Sequence, residues 1–246
     1  MNKILIAIST YQRHKTALKE TIDFIRKYTK NFYDILICCD SPESFAYCHD
    51  LNYLCIGGES KGIARNKNRG ISYFLKHPEY EYLFLLDDDC FPIKKGWDNW
   101  WINGYKSTGY HHFLFAPLNH YGKITNEKIF ENYSVKYHEL DGGCFMFCTR
   151  KCIETVGGFH PKFKRYGGEH SEFTERIARA KLIPAPKISL VGCEEWMDGW
   201  DWQVYSNRKE RLLSDITQDD INTGLRIYME IKKESNNQIF YEPNTK

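Results

Sequence analysis

Asp87, Asp88 and Asp89 follow directly on the apolar run Tyr82-Leu83-Phe84-Leu85-Leu86. Three adjacent carboxylates repel one another, and burial disfavours their ionised form unless a cation compensates. On a strand, alternation of side chains brings Asp87 and Asp89 towards one ligand. Hard carboxylate oxygens suit Mg2+ or Mn2+, ions that commonly bridge phosphate oxygens. A lone acidic triplet is also a common surface turn; the buried strand before it and the polar clusters elsewhere favour the cation. Among the nine cysteines, Cys144, Cys148 and Cys152 recur every four residues, as metal ligands sometimes do. Two of them fall in the strand-like run Gly143-Cys144-Phe145-Met146-Phe147-Cys148, so buried free thiols are expected rather than zinc.

The elements that position the triplet alternate strand and helix. Ile4–Ile8 reads as a buried strand, and Thr16–Tyr28 as a helix with Leu18, Ile22 and Ile25 on one face. Tyr33–Cys39 and the weaker Tyr53–Ile56 are further strands, Gly62–Leu75 is a helix, and Tyr82–Leu86 is a fourth strand. Continuous apolar strands separated by helices predict an α/β protein, its mostly parallel sheet covered on both faces. Ligands of such sheets bind outside the carboxyl ends of the strands, where these polar clusters lie. Beyond residue 90 the pattern is less regular. Helices are expected at Gly96–Tyr105, Ser171–Ala180 and Ile221–Ile231, strands at Phe113–Pro117 and Cys144–Cys148, and a frayed polar tail from Lys232 to Lys246. No linker cuts the chain, so a single domain of two fused lobes is expected.

Composition sets outer limits. The 246 residues carry 34 Lys and Arg against 32 Asp and Glu, a net charge of +2. That near-neutrality argues against attachment to nucleic acid or anionic lipid by bulk charge. An odd number of cysteines scattered through apolar runs reads as reduced thiols. The apolar run after Met1 is too short for a signal peptide, and no run approaches the roughly 18 residues of a membrane span. A cytoplasmic protein is expected.

Six segments, taken in order, resemble the GT-A fold nucleotide-sugar glycosyltransferases, especially family 2 and its relatives. ILIAISTYQR (4–13) is similar to their opening strand and "PTYNR" turn, and DILICCDS (34–41) to the second strand and "DDGS" turn. GGESKGIARNKNRG (57–70) resembles the "N-x-G-x-x-x-A-R-N-x-G" segment, and Asp87-Asp88-Asp89 the D-x-D motif. DGGCFMFCTRKCIETVGGF (141–159) resembles the "GG-strand-helix-VGGF" block, and YGGEHSEFTERI (166–177) the "WGGED" acceptor loop. The resemblance covers roughly residues 3–190 and implies a Rossmann-like GT-A sheet. It divides the chain into a donor half (1–90), an acceptor half (91–205) and a C-terminal helix and tail (206–246).

Carried onto these positions, the resemblance implies that Thr10, Tyr11 and Arg13 border the nucleotide, and that Asp40 bonds the base or ribose. Lys61, Gly62, Arg65 and Asn66 open a helix whose free amides and guanidinium favour the diphosphate, and Asp87 and Asp88 also face the donor. Asp87 and Asp89 hold Mn2+ or Mg2+. Relatives complete the metal shell with a later His or Asp; no His follows His170, which leaves Asp198 or Asp201. The plainer readings are a turn residue for Asp40 and a solvated helix face for Lys61 and Arg65. Glu169 and His170 are the catalytic candidates, the first as base or sugar ligand, or as a plain helix cap. His170 stands where inverting relatives carry an Asp that deprotonates the acceptor and retaining relatives an amide; it serves as base, or it binds the metal or the donor phosphate. Glu172 and Glu175 are expected to face solvent.

The implied activity is metal-dependent transfer of a hexose-like sugar from a nucleoside-diphosphate sugar, a UDP-sugar first, to an acceptor hydroxyl. The acceptor stays open between a saccharide, a lipid-linked saccharide, a protein and a hydroxylated base of viral DNA. For DNA, Lys162-Phe163-Lys164-Arg165 and Arg208-Lys209-Glu210-Arg211 would touch phosphates. The tryptophans of 196–202 would stack on a sugar or base, or pack the C-terminal segment. A non-catalytic sugar- or nucleotide-binding module is the alternative from another class.

Overall fold

The computed structural model describes residues 3–12, 15–116, 124–138, 142–164, 167–199, 217–234 and 239–243. In chain order residues 1–90 hold β1 (Lys3–Thr10), α1 (Ala17–Tyr28), β2 (Tyr33–Cys39), α2 (Pro42–Asp50), β3 (Cys55–Gly57), α3 (Ile63–Lys76) and β4 (Tyr80–Asp87). There follow β5 (Cys90–Pro92), α4 (Trp97–Thr108), β6 (His112–Leu114), β7 (Ile124–Ile129), β8 (Ser134–His138), β9 (Phe145–Thr149), α5 (Arg150–Val156) and α6 (Glu169–Arg179). The chain continues through β10 (Ile188–Leu190) and β11 (Met197–Gly199) to α7 (Gln218–Glu234).

Six strands form one sheet in the order β3-β2-β1-β4-β9-β6. The first four are parallel, and β9 runs antiparallel between β4 and β6. The mostly parallel α/β sheet expected from the strand–helix alternation is therefore present. Ile4, Leu5, Ile6 and Ile8 of β1 are fully buried, as a central strand covered on both faces must be; each such side chain contributes about 1.5–3 kcal/mol. Helix α3 lies close against the sheet because residue 70 is glycine: a Cβ there would stand 2.8 Å from that of Ala7. On the far side, Trp97 and Trp101 of α4 pack on Phe84 and Phe145, with ring centroids 4.9 and 4.7 Å apart respectively.

The structure departs from the sequence pattern in four places. Strand β4 ends at Asp87 and the chain turns at 88–89, so strand alternation does not extend to Asp89. Ser41-Pro42 opens helix α2, with Ser41 Oγ accepting the Ser44 N–H at 3.0 Å and Pro42 in the first turn; serine before proline is a helix-start signal. A separate antiparallel sheet, β10-β8-β7, occupies a region with no clear periodicity, and every residue of β7 is exposed. The tail does not simply fray. Tyr241 forms a parallel bridge with Gly157, and Arg176 Nη1 donates to the Ile239 carbonyl at 3.3 Å. All nine cysteines are free thiols, Cys55 and Cys144 only half-buried. Among the described residues, no helix is long and apolar enough to cross a membrane.

Candidate active site

The register of the sheet brings three strand ends together. Thr10 pairs with Cys39 and Ser9 with Asp87, while the Asp40 amide donates to the Thr10 carbonyl and the Asp88 amide to that of Ser9. Thr10, Asp40 and the acidic triplet therefore line one edge. Tyr11 is exposed there; Arg13 lies outside the described residues.

The residues at this edge have separate tasks. Thr10 Oγ1 donates to Asp88 Oδ2 at 2.7 Å, and the Asp88 carbonyl accepts from Thr21 at 2.8 Å. Asp88 is buried by this arrangement and braces β1 against β4. Asp40 accepts the Lys61 and Gly62 amides at 2.8 and 3.0 Å, so it shapes the loop that enters α3. Burial pushes the Asp40 carboxyl above its usual value, against the pull of those amides and Arg69. Lys61 pairs with Glu59 at 2.8 Å. Arg65, half-buried on the first turn of α3, makes no hydrogen bond or ion pair with a described residue.

Periodicity alone understates the polar face of α3. Asn66 Nδ2 donates to the Cys38 carbonyl at 2.8 Å, and Arg69 donates to the Cys39 and Glu59 carbonyls at 2.7 and 2.8 Å. Lys67 is 2% exposed. Its Nζ donates to the Gly143 carbonyl at 2.5 Å and lies 3.1 Å from Asp87 Oδ1. Burial opposes its charge, but Asp87 and Glu169 overcome that and raise its pKa. Lys67, Asn68 and Arg69 are functional candidates missing from the sequence reading. For Lys67 the signal was its position, since residues 66, 67 and 70 continue the inward stripe of Ile63, Ile71 and Phe74; Asn68 and Arg69 lie off that stripe, and periodicity does not mark them.

The entry to α6 is built on glycines. Gly167 and Gly168 have φ of +99° and +84° and lead into α6. There His170 Nδ1 lies 3.1 Å from Glu169 Oε1. The ring rests on Gly143, where a Cβ would come within 2.7 Å of Nδ1. Burial opposes ionisation of Glu169, but His170 and Lys67 hold its carboxyl down at about 2. A carboxylate only accepts, so His170 donates from Nδ1; in the neutral form of the ring the lone pair is then on Nε2. Glu169 Oε2 is buried without a hydrogen-bond partner among the described residues.

The helix beyond corrects an expectation. Glu172 is buried and bonds Arg176 at 2.6 Å, and Glu175 accepts from the Tyr228 hydroxyl. Neither simply faces solvent, because the fully buried Arg176 needs a counter-ion and α7 covers Glu175. Of the basic runs, Lys162 is paired with Glu234 at 2.8 Å, while Arg165 and Arg208–Arg211 lie outside the described residues. Trp196 stacks on Trp100 with centroids 5.6 Å apart and so packs the fold; Trp200, Asp201 and Trp202 are not described.

Asp198 pairs with Phe91, and Gly199 with Cys90, which seats β11 beside the acidic turn. The Asp198 carboxyl is raised by burial, and its one described partner is the Gly199 amide at 2.8 Å. A buried acid with no described counter-charge, one strand pairing from Asp89, fits a hard divalent cation. Among the described residues no three Asp, Glu, His or Cys side chains gather as a metal cluster. The described residues therefore offer a partial oxygen shell, which phosphates and water would complete.

The chain is similar to several known proteins in sequence and in fold. A family model described as the N-terminal domain of galactosyltransferase matches residues 126–187. The chain is 29% identical over 197 residues to an uncharacterized glycosyltransferase of Acanthamoeba polyphaga mimivirus, covering 74% of this chain and 75% of that protein. In fold it is similar to GalNAc-T7 with UDP, GalNAc and Mn2+, at TM-score 0.55 and 13% identity, over 72% of this chain and 40% of that one. It is also similar to Drosophila β-1,4-galactosyltransferase 7 with manganese, UDP-Gal and xylobiose, at TM-score 0.50 and 14% identity, over 89% and 79%. The chain thus spans less than half of the GalNAc-T7 chain.

Proposed function

We propose that this chain, a glycosyltransferase of GT-A fold, moves a hexose or related sugar from a UDP-sugar to an acceptor hydroxyl, with Mn2+ or Mg2+ bound. Residues 1–90 serve the donor, 91–205 the acceptor, and 206–246 form the C-terminal helix and tail. Nine free thiols fit work in the reducing cytoplasm.

The observation that carries this reading is the Glu169–His170 pair. The ionised Glu169 fixes the His170 tautomer, and Nε2 takes the proton of the acceptor hydroxyl as that oxygen attacks the sugar. On the donor side, Arg65 and the open first turn of α3 meet the diphosphate, with Lys61 beside them. Tyr11 and Arg13 border the nucleotide, and Thr10, Asp40 and Gly62 shape its seat. Asp87, Asp89 and Asp198 would hold the cation, Asp87 lying also 3.1 Å from Lys67 Nζ. When bound there, the cation would supply neutralisation of charge on the leaving diphosphate.

Calorimetric titration with UDP-sugars, with and without Mn2+, tests the reading. Binding that needs Mn2+ and is lost in Asp89→Ala supports it; absence of binding by every nucleotide-sugar overturns it. A His170→Ala variant should keep donor binding and lose about 10²–10⁴-fold in transfer.

A further inference from the structure

We propose that Lys67 is a positioning residue that holds the donor and acceptor sides of the site in register. The inference rests on the function proposed above and assigns a task to a residue outside that chemistry. Lys67 sits on the inward face of α3, where the neighbouring positions Ala64 and Ile71 are fully buried. A cation at such a position is retained only if its charge and its hydrogens are answered.

They are answered from both sides. Asp87, at the end of β4, lies 3.1 Å from Nζ. The Gly143 carbonyl, 2.5 Å from Nζ, belongs to the loop that crosses the end of β4, where the Asp87 amide donates to Cys144 at 2.8 Å. That loop is also the floor of the acceptor side. His170 packs on Gly143 so closely that a methyl there would clash, and Nδ1 reaches Glu169 at 3.1 Å. Glu169 Oε2 has no described hydrogen bond, and the Lys67 charge helps to keep the carboxylate ionised. One ammonium thus fixes the donor-side carboxylate and the backbone on which the His170 ring rests. Releasing it frees both, and a shift of about 1 Å between reacting groups costs on the order of 10²-fold in rate.

The test compares the wild type with Lys67→Met, Lys67→Gln and Lys67→Arg, following sugar transfer to acceptor, donor hydrolysis without acceptor, and the thermal midpoint. Gln keeps a donor for the Gly143 carbonyl and safeguards the fold if Met does not. In the folded uncharged variants, kcat for transfer should fall about 10²-fold with donor KM nearly unchanged. The ratio of transfer to hydrolysis should fall with it, and Lys67→Arg should recover part of the loss. A structural lysine would lower the midpoint and leave that ratio alone. Wild-type kcat and ratio in Lys67→Gln overturn the role of Lys67, whereas a wild type that turns over no nucleotide-sugar overturns the function beneath it.

Discussion

Asn68 grips the backbone of Phe159 from both sides: its Nδ2 donates to the Phe159 carbonyl at 2.9 Å, and its Oδ1 accepts the Phe159 amide at 2.7 Å. The two residues are 91 positions apart, and all these atoms are buried. The pair fastens helix α3 to the glycine turn after α5. Asn68→Ala leaves a buried N–H and C=O unanswered and should cost about 2–4 kcal/mol, read as a shift of the urea midpoint. Asn68→Asp keeps the acceptor and should cost less at low pH.

Gly62 holds φ at +86°, and a Cβ there would lie 1.5 Å from the Lys164 carbonyl. Gly62→Ala therefore strains the backbone by about 1–3 kcal/mol and also displaces the 160s loop. Its expected signature is a lowered thermal midpoint together with weaker nucleotide-sugar binding. Unchanged binding would show that the loop before α3 does not shape the donor seat.

Asp198 is raised by burial, so the native state holds its proton more tightly than the unfolded chain. The ionised form then lowers stability as pH rises past the ordinary carboxylate value, until a cation answers it. Asp198→Asn should raise the thermal midpoint without metal at pH 7 and abolish the stabilisation that Mn2+ gives in the presence of UDP. Retained Mn2+ stabilisation in that variant would exclude Asp198 as a ligand.

Acid should weaken the fold in two stages. Burial lowers His112 and His160 to about 4, with Arg176 adding to the effect on His160. The unfolded chain binds more protons than the native one between about 6.5 and 4, so stability falls as pH drops through that window. For the fully buried His112 this amounts to about 3 kcal/mol. Glu169, held at about 2, extends the loss from the unfolded carboxylate range downward. His112→Gln should flatten the first stage in denaturant titrations between pH 7 and 4.

Removal of residues 239–246 takes Tyr241 from its bridge with Gly157 and the Ile239 carbonyl from Arg176. The Arg176 guanidinium also lies 4.6 Å from the centroid of the Tyr241 ring. Truncation after Gln238 should destabilise the protein by about 2 kcal/mol or more and raise hydrogen exchange in the Val156–Phe159 turn. Exchange unchanged there would mean the tail is dispensable.

Legibility followed the range of the forces. The buried strands and the amphipathic helices α1 and α3 were readable, because burial imposes a period that the sequence must carry locally. Helix α2 is signalled by Ser41-Pro42, a helix start that apolar periodicity does not mark. The hairpin β7–β8 has an exposed strand with no period to find. The tail appeared frayed because its partners, Gly157 and Arg176, lie 84 and 65 residues upstream.

The sequence by itself determined the α/β alternation, the glycosyltransferase resemblance and the short list of residues at strand ends. These depend on local spacing and residue chemistry. Tertiary structure decided how the acids divide their work: Asp88 with Thr10, Asp87 with Lys67, Glu169 with His170, and Asp198 beside the acidic turn. Three adjacent carboxylates are equivalent in a sequence. They become different only when folding gives each a separate neighbour, and at short range in a poorly solvated interior the neighbour sets the charge.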